Sequence, residues 1–399
     1  MSTDPLLGAM AERIHDEDVS YRSHLMAIAA TLPDVIAMGR GDPDFHTPAH
    51  IVAAARAAIE SNQHHYTLPA GILPLRQAIA DTLRRENNLD YTAEEIIVTA
   101  GVQEALMLCM LALINPGDEV LIPSPRFTSY DTAITLCGGV PVPVPTYERD
   151  DFALTPEAIE ARITPRTKVL ALVTPNNPTG AVTPPDMIRR IAEIAERHNL
   201  IVLSDEIYAK LLFDGAEHLS FASIPGMKAR TITLNGFSKS YAMTGWRIGY
   251  LAAPLPFITR LIEPRHTLSI NAATPSQYAA LAALTGPQEA VGEMVAAYAE
   301  RRSFFMQWLD RVGLSYGHPG GAFYVYTNIS STGMSSPEFC ELLLREARVL
   351  ILPGVMFGDE DNRYVRFSLL QPMDRIAEAI ERMEPVIRRL QAAAAGKES

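Results

Sequence analysis

Between Glu94 and Lys239 the chain alternates short apolar, β-branched runs with helical patterns, and no other feature constrains its fold as much. "EEIIVTAG" leads into an apolar helical stretch from Ala105 to Ile114, and "DEVLIP", "GGVPVPVP" and "TKVLALVTP" follow as strand-like runs. "PPDMIRRIAEIAERHN" then sets Ile188, Ile191, Ala192 and Ala195 on one helical face, with Arg189, Arg190, Glu193 and Glu196 largely off it. "LIVLSDEIY" comes at once after that helix, and "ARTITLNGFSK" is a further strand ending in a polar turn. Strand, helix and strand in succession predict parallel βαβ units, and so an α/β fold whose mostly parallel sheet is covered by helices. Ligands of such open sheets gather beyond the carboxyl ends of the strands. Asn177, Asp205 and Lys239 each stand there, so the sheet should bring them together although they are far apart in sequence.

From about Thr285 the pattern changes to long helical stretches such as "PQEAVGEMVAAYAERRSFFMQWLDRV", with short strands at "GAFYVYTNI" and "YVRFSLL". This suggests an arm over residues 1–45 that forms part of a small domain, a large domain over 46–285, and a small α+β domain over 286–399. The first forty or so residues read as irregular and punctuated by proline, and the "AAAAGKES" tail reads as frayed.

With 48% hydrophobic and 20% charged residues the chain can build a large core. A formal charge of -12 opposes broad attraction to nucleic-acid phosphates or anionic lipid, which leaves a small-molecule partner as the expectation. The apolar stretch Ala105 to Ile114 has about half the ~20 residues that a membrane span needs. "MSTDPLLGAMAERIHDEDVS" has no basic-then-apolar export layout. Cys109, Cys137 and Cys340 are odd in number and widely spaced, which reads as reduced, structural thiols in a cytoplasmic protein. His64 and His65 have no carboxylate or cysteine at ligand spacing, so no metal is expected.

Four segments in order, "TAGVQEAL", "TPNNPTG", "SDEIY" and "GFSKSYAMTGWRIGY", closely resemble the fold-type-I pyridoxal phosphate (PLP) enzymes of the class I aminotransferase family. The resemblance extends from "GRGDPDF" to "YVRFSLL", and the frame "SYAMTGWRIGY" is most similar to the branch of bacterial aspartate and aromatic enzymes. It implies that Lys239 forms a Schiff base with the PLP aldehyde and afterwards moves a proton as a free amine. Asp205 matches the carboxylate that keeps the pyridine nitrogen protonated, and Tyr208 and Asn177 match the groups that hydrogen-bond the ring's phenolic oxygen. Phe127 and Ile207 match the residues covering the two ring faces. Gly101 with the amides of Val102 and Gln103, together with Ser238 and Arg247, matches the phosphate site. Tyr66 matches a tyrosine that reaches the phosphate of the other subunit, so a homodimer is implied. Arg366 and Gly41 match the site for the substrate α-carboxylate.

The same resemblance implies an amino acid and a 2-oxo acid as partners, and no nucleic acid or membrane. A C–S lyase or related β-eliminating enzyme uses the same residues, and a non-catalytic PLP sensor is a more distant alternative. A cofactor-free aldolase would leave Asp205, Tyr208 and Arg247 without a task, and "GFSKS" lacks the last glycine of a serine-hydrolase elbow. Arg40 and Arg126 are the candidates for reading a side-chain carboxylate. Many members carry serine or threonine three residues before the lysine; Gly236 stands there instead, and that phosphate contact is open.

Overall fold

A seven-stranded sheet organises the molecule, which is described by a computed structural model covering residues 5–14 and 19–398. Residues 1–4 and 15–18, part of the stretch read as lacking an export signal, and Ser399 lie outside the described residues. The strands are β1 (Ile96–Thr99), β2 (Glu119–Ser124), β3 (Val140–Pro145), β4 (Thr167–Val173), β5 (Ile201–Asp205), β6 (Thr231–Gly236) and β7 (Gly249–Ala252). Their spatial order is β1-β7-β6-β5-β4-β2-β3, and only β7 runs against its neighbours. The local sequence explains the order. β1 is buried along its whole length, as the unbroken apolar run requires of a strand covered on both faces. β3 carries Pro141, Pro143 and Pro145, which cannot donate to a ladder, and it lies at the sheet edge.

Helix Pro185–Arg197 buries Ile188, Ile191, Ala192 and Ala195, the face its periodicity marks, against β2, β4 and β5. Helix Val102–Leu113 packs Ala105, Leu106, Cys109 and Met110 on the other side of the sheet. The sheet is therefore covered by helices on both faces, as a mostly parallel sheet must be. All three cysteines are free thiols, and those of Cys109 and Cys340 are fully buried.

A second apolar core forms where the C-terminal third packs on itself. Phe305, Trp308 and Phe367 cluster there with ring centroids 4.9–6.5 Å apart. The antiparallel strands Tyr324–Asn328 and Tyr364–Ser368 lie beside it, flanked by helices Ser336–Ala347 and Met373–Glu398.

Two expectations are corrected. Residues Val19–Thr31 form a helix rather than an irregular arm: the segment holds no proline or glycine, and Leu25 and Ile28, three apart on one face, are buried in the second core. The alanine-rich tail is helical as far as Glu398, as strong helix formers attached to a packed helix favour. After the N-terminal helix, Ile36–Ala37 pairs in parallel with Val349–Leu350. The amide of Ser368 then donates to Met38 O, and this ties the next residues, Gly39 to Asp42, across the opening above the sheet.

Candidate active site

Beyond the carboxyl ends of β4, β5 and β6 lies a cleft of about 660 Å³, and Asn177, Asp205 and Lys239 all line it. The sheet thus brings together the three strand-end residues singled out in the sequence. Asp205 ends β5 with its carboxylate buried. Tyr130 Oη donates to its Oδ2 at 2.6 Å and the Ile207 amide to its Oδ1 at 3.2 Å. Burial nevertheless pushes the carboxyl up to about 6, the two hydrogen bonds only partly offsetting the loss of water. A buried carboxyl in this state gains from a cation placed against it.

The Lys239 amine donates to Gly41 O at 2.5 Å. Burial pushes it down to about 8; Arg366 and Arg247 lower it further, and Asp42 and Asp205 offset part of that. A neutral, nucleophilic amine is therefore accessible near neutral pH, which an ordinary lysine does not offer. The Tyr208 hydroxyl lies 3.1 Å from that of Tyr324, and burial holds both phenols above their usual range. A side chain at Gly41 would bring its Cβ to 2.6 Å from the Tyr324 hydroxyl, so only glycine lets the strap cross here.

Arg366 is buried without a carboxylate partner among the described residues. Its Nη1 donates to Asn177 Oδ1 at 2.8 Å and its Nη2 to Gly39 O at 2.6 Å, while Nε has no partner among the described residues. The guanidinium stands 4.4 Å from the Tyr324 ring centroid and 4.6 Å from that of Phe357. A buried guanidinium with a donor left over is disposed to take an anion.

A second anion cradle lines the same cleft. Gly101, at φ 81° and ψ 170°, occupies a backbone region essentially reserved for glycine. It starts helix Val102–Leu113, so the amides of Val102 and Gln103 point out of the first turn without intrahelical acceptors. Arg247 lies against this turn: a Cβ on Gly101 would fall 2.8 Å from its Nη2. Its Nη1 donates to Thr244 O at 3.0 Å, which fixes the fork. Ser238, Phe127 and Ile207 line the same cleft, with Phe127 half-exposed and Ile207 buried.

Gly236 is packed rather than vacant. A Cβ there would approach Gly249 Cα at 3.1 Å, Ile248 O at 3.2 Å and Ile207 Cδ1 at 3.3 Å, so a serine or threonine would crowd the β6–β7 pair. Arg126 is engaged: its Nε and Nη2 clasp Asp131 at 2.6–3.0 Å. Tyr66 is 80% exposed and is not among the residues lining this cleft.

Two site residues escape the sequence reading. Tyr130 and Tyr324 carry no motif, and the available signal was their hydroxyls, since a buried tyrosine beside a strand end needs a polar partner. Among the described residues there is no group of three or more His, Cys, Asp or Glu that could hold a metal, and no helix is long and apolar enough to cross a membrane.

The residues present fit a pyridine ring bearing a phosphate. A buried carboxyl that needs a cation, a glycine-dependent anion cradle and a nucleophilic amine all belong to the one cleft.

Comparison with known proteins agrees with this geometry. The family model for class I and II aminotransferases matches residues 33–383. The chain is 40% identical over 383 residues to the aromatic-amino-acid aminotransferase 2 of Thermococcus litoralis, covering 95% of this chain and 98% of that protein. It is 42% identical over the same length to an aspartate aminotransferase of Pyrococcus abyssi, with the same coverage. The structure of an aromatic aminotransferase from Pyrococcus horikoshii superposes with a TM-score of 0.87 at 42% identity, covering 92% of this chain and all of that one.

Proposed function

The chain belongs to the class I and II aminotransferases, and from that premise we propose that it uses pyridoxal phosphate, held on Lys239, to move an amino group from an aspartate-type or aromatic L-amino acid to a 2-oxo acid. The observation that carries this is the Lys239 amine, pushed down to about 8 inside a cleft that also has a buried carboxyl and an anion cradle.

When bound, the cofactor supplies an electron-withdrawing ring that lowers the cost of removing the substrate Cα proton. The chain's residues do the rest. Gly101, Val102, Gln103, Ser238 and Arg247 would hold the phosphate, and Phe127 and Ile207 would cover the ring. Asp205 would face the ring nitrogen and keep a proton there, steadied by the hydroxyl of Tyr130. Tyr208 and Asn177 would donate to the phenolic oxygen. Arg366, already oriented by Asn177 and Gly39, would take the substrate α-carboxylate and so fix which Cα bond faces the amine. Lys239 Nζ would then remove and return the proton at the substrate Cα.

Tyr66 has the exposure expected of a residue that serves the cleft of a second copy, which supports a homodimer. We place the domain limits at 45/46 and 285/286, and the free thiols suit a cytoplasmic setting. Borohydride reduction of the purified protein followed by peptide mapping tests the assignment. The expected result is a reduced pyridoxyl-phosphate adduct on the peptide that contains Lys239, and an adduct on another lysine would refute it.

A further inference from the structure

The helix that carries the anion cradle is capped from the wrong direction. A serine, threonine or aspartate at the start of a helix uses its own side chain to take the amides of the first turn. Gly101 holds that position in Val102–Leu113 and has no side chain to do so, which leaves those amides for an anion. Glu104, three residues on, would in a capping box reach back to the amide of the cap residue. It takes the Ala100 amide instead, one residue earlier, because the Gly101 amide already donates to Thr99 O at 2.8 Å. The chain entering the cradle is held at further atoms: Val98 O accepts from Arg265 Nη2 at 3.3 Å, Gly101 O from the Thr99 hydroxyl at 2.9 Å, and Ala100 O from Arg247 Nη2 at 3.5 Å.

A carboxylate in the first turn brings a conflict with it. It occupies the end of the helix dipole that an anionic ligand also seeks, and its charge would repel a phosphate. Arg265 resolves the conflict. It projects from helix Leu255–Ser269, is fully buried, and sets Nη1 3.2 Å from Glu104 Oε1, while the Ser269 hydroxyl donates to the same oxygen. Neither Glu104 nor Arg265 lines the cleft. A buried pair of this kind adds little stability over apolar side chains of the same size, so its value lies in what it fixes. What it fixes is the turn between the strand end and the cradle.

We propose that Glu104 and Arg265 are positioning residues for the cofactor phosphate: the Glu104 carboxylate fixes the Ala100–Gly101 turn so that the Val102 and Gln103 amides stay aimed at the phosphate, and Arg265 cancels the charge that would otherwise repel it. The inference rests on the aminotransferase reading, because that reading puts a phosphate in the cradle. Its effect is specific to the phosphate, since the bonds of the pair go to the turn, to Ser269 and to each other.

Equilibrium titration of the cofactor-free protein with PLP and with pyridoxal, which lacks the phosphate, tests this, read by the absorbance of the lysine-bound ring. The parent should bind PLP the more tightly, by at least about 10²-fold. Glu104→Ala should weaken PLP about tenfold and leave pyridoxal within about twofold, and Glu104→Gln, which keeps an acceptor for the Ala100 amide, should recover part of the loss. Arg265→Gln leaves the Glu104 charge uncancelled and should likewise weaken PLP and spare pyridoxal, with a smaller loss once Glu104→Gln is added to it. Circular dichroism identifies a variant that fails to fold, and if Arg265→Gln does so the two Glu104 variants carry the test. PLP and pyridoxal weakened alike, or PLP unmoved by Glu104→Ala, would overturn the positioning role, while the parent's preference for PLP would keep the cofactor reading intact. A parent that binds the two equally would take the phosphate out of the cradle and remove both.

Discussion

The floor and the rim of the cleft are built on different principles. Asp205, Asn177, Tyr208 and Arg366 on the floor are all buried and bonded to neighbours on several elements, whereas Arg22 and Arg40 at the rim are exposed and have no side-chain partner among the described residues. The floor gives up solvation to fix protonation states, as the displaced positions of Asp205 and Lys239 show. The rim keeps its charges in water, where they remain free to meet a ligand. The contrast teaches that the groups fixed on the floor depend on burial and the rim groups do not, so a floor substitution should harm every substrate and a rim substitution should cost less.

The largest effect should come from Lys239→Ala, which removes the one lysine amine that lines the cleft among the described residues. Its turnover should fall by at least about 10³-fold for every amino acid, with unchanged far-ultraviolet circular dichroism. Near-parental turnover would erase the distinction between floor and rim.

Asp205→Asn sharpens the contrast because it should move activity and stability in opposite directions. Turnover should drop by roughly 10²-fold or more, since a neutral amide cannot hold a proton on the ring nitrogen. In the cofactor-free chain the carboxyl sits at about 6 against an ordinary 3.8. Folding therefore binds its proton more tightly, and its contribution is complete below about pH 4 and lost as pH rises through 6. The Asn variant of the cofactor-free protein should be more stable than the parent at pH 7, by up to about 3 kcal/mol, and no more stable near pH 3.5. Urea melts at the two pH values measure this, and equal stability at pH 7 would show that the carboxylate is not strained.

Arg366→Gln should lower kcat/KM by about 10²-fold for aspartate-type and aromatic donors alike, since both present an α-carboxylate. A loss confined to one class would move Arg366 from floor to rim. The smallest effect should be that of Gly101→Ala. Its backbone conformation would cost the chain about 1–3 kcal/mol, and its Cβ would press on Arg247, so PLP should dissociate faster on dilution. Unchanged retention would place the phosphate elsewhere.

Legibility followed the same division. The floor could be read because strand periodicity located the carboxyl ends of β4, β5 and β6, and because "TPNNPTG", "SDEIY" and "GFSKSYAMTGWRIGY" place characteristic side chains there. Tyr324 was missed because "GAFYVYTNI" reads as a plain strand, and nothing local shows that its hydroxyl meets Tyr208 across the fold. Tyr130 was missed for the same reason, being joined to Asp205 only through tertiary packing. Arg126 looked available because its partner Asp131 lies five residues on, outside the helical i,i+3 and i,i+4 spacings that announce an ion pair. Arg22 could not be found at all while its segment was read as irregular. The concern over Gly236 came from a family pattern and ends in packing, since a neighbouring strand occupies the space a side chain would need.

The most direct test of the central claim is a single-turnover titration of the purified holoprotein, without any 2-oxo acid acceptor, against aspartate, glutamate and the aromatic amino acids, following the cofactor spectrum and the products together. The account predicts conversion of the cofactor to its amine form with one equivalent of the matching 2-oxo acid per site. An unchanged spectrum, or release of ammonia with pyruvate in place of that stoichiometry, would contradict it.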